Sequence, residues 1–163
     1  MKKWSLLFLS LFLFACSSSP LSLRKSDSAE ITGLLMGYGL EEVERREGDT
    51  FFQRSYSGWV DRARYDVCVY TYENGEVMDI DLTAEGRVDR DFLYQICDLA
   101  SKGEWAHKRL CEKLRELLDN EAGGKLSFQN DSLKLDADVS ISRITISLED
   151  IAFETWLKEN AYE

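Results

Sequence analysis

His107 is the only histidine in this 163-residue chain, so chemistry that needs an imidazole has one place to sit. Glu104 precedes it by three residues. In carboxylate-bridged metal sites that Glu-x-x-His spacing lets one helical turn aim a carboxylate and an imidazole the same way, but those sites draw on a second such helix and on further glutamates. One copy reads as a helix surface. A Ser-His-Asp set would rest on the same single imidazole, and no phosphate loop, dinucleotide fingerprint or paired zinc cysteines occurs. The residues therefore point to no catalytic group, no metal and no cofactor, and the expectation is a protein that is not an enzyme.

Carboxylates and aromatics offer binding rather than catalysis. Asp79 and Asp81 alternate in a strand pattern, which sets them on one face about 7 Å apart. With Asp89 and Asp91 they are candidates for a hard cation that wants roughly six to eight oxygens, yet the glycine-bearing calcium loop is absent. A solvated sheet face is the simpler expectation. Phe51, Phe52, Tyr56, Trp59, Tyr65, Tyr70 and Tyr72 form an aromatic set whose alternation sends some members to each side of a sheet. Whichever side the helices leave uncovered would then expose Tyr and Trp. The candidate binding surface is Tyr56, Trp59, Tyr70 and Tyr72 with Arg54, and Arg62 and Arg64 lie close by in sequence.

The elements that must position these residues follow from periodicity. Residues 28 to 38 carry Ile31, Leu34, Leu35 and Tyr38 on one helical face, with Asp27 as cap and Gly37 and Gly39 as the stop. Strands are expected over residues 50 to 57, 65 to 72 and 76 to 82, with a less regular one over 40 to 46. Asn74-Gly75 suits a two-residue hairpin turn with two positive φ angles. Phe92, Leu93, Ile96, Leu99 and Ala100, then Leu110, Leu114, Leu117 and Leu118, repeat at helical spacing. Leu126 and Phe128, Leu133 to Val139, and Ile144 to Leu148 alternate as strands, with Asn130-Asp131 as a turn. A last helix capped by Ser147 is expected to bury Ile151, Ala152, Thr155 and Trp156. Strands clustered in hairpins with helices between them predict an α+β fold: a largely antiparallel sheet of about six strands packed with three or four helices, in a single domain over residues 28 to 163.

The N-terminus reads as export grammar. Lys2 and Lys3 precede an apolar run from Trp4 to Phe14, about half the roughly 20 residues that span a bilayer. Leu13-Phe14-Ala15-Cys16 resembles the lipobox of bacterial lipoproteins. That resemblance covers residues 1 to 16 and implies cleavage before Cys16, diacylglycerol on its sulfur and acylation of the new amine. Several acyl chains, at about 0.8 kcal/mol per buried methylene, anchor far better than one. Ser17 after the cysteine implies sorting to the outer membrane, facing the periplasm. Residues 1 to 15 are then a signal peptide, and residues 16 to 27, with the only proline, Pro20, a lipidated tether reaching about 36 Å if extended.

Charge narrows the partners. The chain carries −10, and loss of Lys2 and Lys3 takes the mature form to −12. Such acidity argues against nucleic acid and fits a cationic partner or simple solubility. Export permits a disulfide. Cys97 and Cys111, in neighbouring helical segments, are the expected pair, since Cys68 sits in an apolar strand and reads as core. Together these readings describe a lipoprotein held to the membrane through Cys16 that binds an envelope protein as an assembly accessory. An inhibitor or immunity protein neutralising a cationic envelope-acting enzyme is the alternative.

Overall fold

Alternation through residues 65 to 72 seeds the architecture. Tyr65, Val67 and Val69 are buried on one side of that strand while Asp66, Cys68 and Tyr70 face the other. The computed structural model describes residues 28–48, 51–100, 105–120, 123–129, 133–151 and 155. In chain order these form α1 (Ser28–Gly37), β1 (Glu41–Glu47), β2 (Phe51–Val60), β3 (Arg62–Tyr72), β4 (Val77–Arg87), α2 (Arg90–Ala100), α3 (Trp105–Asp119), β5 (Gly124–Gln129), β6 (Leu133–Val139) and β7 (Arg143–Asp150). The strands make one seven-stranded sheet in the order β1-β2-β3-β4-β7-β6-β5, and every neighbouring pair is antiparallel.

This corrects the expected fold class. The molecule is mostly sheet, one seven-stranded antiparallel sheet carrying three short helices, rather than about six strands packed with three or four helices in an α+β arrangement. Two local facts account for the difference. Residues 41 to 47 form an edge strand paired with β2, with a register shift at Val43. Residues 147 to 150, expected to open a helix capped by Ser147, instead continue β7 with Ser147 opposite Asp81 and Asp136.

The four-strand meander β1–β4 and the three-strand meander β5–β7 join through α2 and α3. That connection carries the chain from β4 to the far edge, so that β7 returns to pair with β4. Gly39, at φ +88°, ends α1 in a Schellman motif: its N–H meets the Met36 carbonyl and that of Leu40 meets the Leu35 carbonyl, each at 3.0 Å. The accompanying apolar contact partners, Leu35 and Leu40, are both buried. The β3–β4 turn also departs from expectation. Among the described residues Asp61 alone is a non-glycine with positive φ, so Asn74 is not left-handed. The Gly75 N–H instead reaches the Tyr72 carbonyl at 3.0 Å and Gly75 takes φ +84°, the longer hairpin loop in which glycine alone supplies the left-handed step.

All three helices lie on one side of the sheet. Ile31 and Leu35 of α1, Phe92, Leu93 and Ile96 of α2, and Leu114 and Leu118 of α3 share a core with the inward residues of β2, β3, β4, β6 and β7. Asp89 caps α2, accepting from the Asp91 and Phe92 N–H groups at 2.9 and 3.2 Å. The Phe92 ring stands edge-on to Tyr65 at 4.9 Å. Among the described residues no helix covers the opposite side, and none is long and apolar enough to cross a membrane.

Candidate binding surface

The uncovered side of the sheet collects the polar partners of the alternating strands. Its rungs, read across the sheet by register, are Gln53, Tyr70, Asp79, Glu149 and Lys134; Ser55, Cys68, Asp81, Ser147, Asp136 and Ser127; and Ser57, Asp66, Thr83, Thr145, Asp138 and Lys125. A fourth rung holds Trp59, Arg64, Glu85 and Arg143. A depression of about 550 Å³ runs over β4, β7, β6 and β5, lined on its polar side by Asp81, Thr83, Ser127, Asp136, Thr145 and Ser147.

Three of the five residues expected to form a binding surface lie on this open face. Trp59 projects from it with 69% of its surface exposed, while Tyr70 and Tyr72 are half-buried there. Tyr70 packs against Phe51 with ring centroids 6.3 Å apart. Tyr56 is a correction. It stands three residues from Trp59 and therefore on the other side, 1% exposed, with its hydroxyl 2.9 Å from Thr32 Oγ1 of α1. Arg54 shares the Tyr56 side and pairs in register with inward-facing Val69.

Cys68 is likewise not core. It is half-buried on the open face, with Sγ 3.6 Å from Ser55 Oγ. Cys97 and Cys111 fall in α2 and α3, but their side chains lie outside the described residues, as do the side chains of Glu104 and His107. Cys16, the tether, Asn130-Asp131, Ala152 and Trp156 lie outside them too.

Asp79 overturns the expectation of a solvated carboxylate pair. It is 9% exposed, and its Oδ1 is fully buried with no hydrogen-bond partner. Burial, and then the neighbouring charges of Asp81 and Glu149, push its carboxyl up to about 8, against weaker opposing help from the Ile80 N–H and Lys134. Near neutral pH it holds its proton. Asp81 is exposed on the same strand. Asp89 and Asp91 do not join them, since Asp89 is spent as the α2 cap. Among the described residues no group of three or more metal-type side chains is arranged to hold an ion.

Around Asp79 the charges are organised. Lys134 Nζ lies 3.3 Å from Asp136 and 3.6 Å from Glu149. A hydrogen bond from Ser127, aided by Lys134, holds the Asp136 carboxyl below the usual range. Burial, and then the Cys68 thiol, push the Tyr70 phenol upward. Glu149, Asp136, Lys134 and Ser147 were missed as site residues. Alternation in β6 and β7 marks each as outward-facing, but only the long-range pairing of β7 with β4 brings them to Asp79. Comparison with protein-family models, curated proteins and solved structures finds no match to this chain.

Proposed function

We propose that this protein is an envelope lipoprotein, anchored through Cys16 to the outer membrane and facing the periplasm, that works without catalysis by binding another envelope protein as an assembly accessory. The observation that supports the binding role is the sheet's uncovered side. Six of its strands present polar rungs, and Trp59 stands out from them, an arrangement suited to a partner contact in which an aromatic anchor is ringed by polar groups. A second reading, an inhibitor of a cationic envelope-acting enzyme, is favoured by the carboxylates gathered in the middle of that face. Capture of partners from envelope extract on the full-length protein, washed through a salt series and identified by mass spectrometry, tests both. A stoichiometric partner retained at high salt supports the assembly role. A basic enzyme released by salt supports the inhibitor role, because exposed charge pairs are screened. Turnover of an envelope substrate traced to the open face would overturn both.

A further inference from the structure

We infer that the trough formed by Asp79, Asp81, Asp136 and Glu149 on the open face receives a basic side chain, arginine or lysine, presented by the partner protein, and that its arrival displaces the proton of Asp79. The inference rests on the protein-binding reading above and names the chemistry its partner must bring.

Four carboxyl groups stand on three adjacent strands within two rungs: Asp79 and Asp81 on β4, Glu149 opposite Asp79 on β7, and Asp136 beyond Ser147 on β6. Neighbouring strands are about 4.8 Å apart and alternate residues about 7 Å, so a single guanidinium placed among them can face several. Two cations are already present: Lys134 sits against Asp136 and Glu149, and Lys125, on the wall of the depression, pairs with Asp138 at 2.8 Å, while the Asp79 Oδ1 is left buried without a donor. A buried acceptor without a donor costs free energy, and a partner that supplies one recovers it. Access is given by the depression of about 550 Å³, whose wall includes Asp81 and Asp136. A basic side chain entering there meets those two carboxylates, with Asp79 two residues further along β4.

The titration follows from the groups that face Asp79: Tyr70 and Cys68 from β3, Asp81 from its own strand, Glu149 from β7, and Lys134 and Asp136 from β6. Their balance is negative, and burial first, with that balance second, keeps the Asp79 carboxyl neutral in the free protein. A bound guanidinium or ammonium lessens that negative balance and sets a positive charge beside the carboxyl. The carboxyl O–H bond then breaks, its proton goes to the buffer, and the carboxylate pairs with the incoming cation. Nothing else is consumed.

The experiment is a calorimetric titration of the full-length protein with capped tetra-arginine at pH 7, in phosphate and in Tris, whose different ionisation heats count protons. One site releasing close to one proton is expected. Asp79→Asn should bind without the buffer-dependent heat, exposed Asp81→Asn should weaken binding at least tenfold, and Glu44→Gln on the β1 edge should leave it unchanged, with circular dichroism confirming that each variant is folded. No binding, equal weakening by Glu44→Gln, or proton release that persists in Asp79→Asn overturns the inference. If envelope extract yields a partner while tetra-arginine fails to bind, the inference falls and the protein-binding reading stands. If tetra-arginine behaves as expected and extract yields no partner, it is the assembly reading that falls.

Discussion

The phenol of Tyr65 is bonded twice to the backbone of Asp89, accepting from its N–H at 2.8 Å and donating to its carbonyl at 3.3 Å. One residue thereby fastens the middle of the sheet to the cap of α2. Tyr65 has no exposed surface, and burial pushes its phenol up to about 12, so the link persists across the ordinary pH range. Tyr65→Phe keeps the ring contact with Phe92 but strands the Asp89 N–H. A loss of about 1–3 kcal/mol is expected in urea unfolding. Asp89→Ala, which removes only the cap, should cost about 0.5–2 kcal/mol. A Tyr65→Phe protein as stable as the parent would show that the paired bonds contribute nothing.

Asp79 gives the stability a pH dependence of known sign. Its carboxyl rises from 3.8 to about 8 on folding, so the folded state binds the proton more tightly than the unfolded state. The contribution is fully present below about pH 4, declines as pH rises, and is lost once pH passes about 8. Asp79→Asn cannot ionise. The difference in unfolding free energy between Asp79→Asn and the parent should therefore grow in favour of the variant between pH 4 and pH 8, then level off. Chemical denaturation at unit pH steps reads this directly, and a difference that stays flat over the window would sink the assignment.

The close seat of α1's end on the sheet is tested at Gly58. A β-carbon there would stand 3.0 Å from the Gly39 carbonyl oxygen and 3.0 Å from the Leu40 Cα, both backbone atoms. Neither can yield without moving the Schellman turn. Gly58→Ala should therefore cost about 1–3 kcal/mol as an overpacked contact, whereas Gly33→Ala, on α1 with nothing near its β-carbon, should be neutral or stabilising. Equal melting temperatures for the two variants would contradict the packing described.

What the sequence made legible was the part governed by period. The alternation of β3, the end of α1 at Gly39 and the helical stripes of Phe92 to Leu99 and Leu114 to Leu118 follow from local residue types. The edge strand β1 was legible only as the least regular of the expected strands, because Glu-Glu-Val-Glu-Arg-Arg-Glu is exposed at every position and its register shifts at Val43, so no face imposes a rhythm. Its charges suit an edge that must not recruit another strand. The turn at Asp61, which closes β2 onto β3 through a positive φ of 52°, carries no glycine to announce it. The parity that separates Tyr56 from Trp59 was readable three residues apart, while the burial of Asp79 depended on β6 and β7 arriving from more than fifty residues away.

If the open face is the binding surface, Trp59 is its best anchor and the helical face supplies the control. Trp59 is 69% exposed, so Trp59→Ala should alter stability by less than about 0.5 kcal/mol. As the large exposed aromatic on the polar face it should nevertheless dominate partner affinity, and its removal should weaken capture about thirtyfold, the effect of roughly 2 kcal/mol at a hot spot. Met36, 59% exposed on α1, lies on the helix-covered side, and Met36→Ala should leave capture unchanged. Affinity measured for both variants against the partner recovered from envelope extract decides the matter. Loss at Met36 with none at Trp59 would move the binding surface to the helices and leave the polar rungs as solvated sheet.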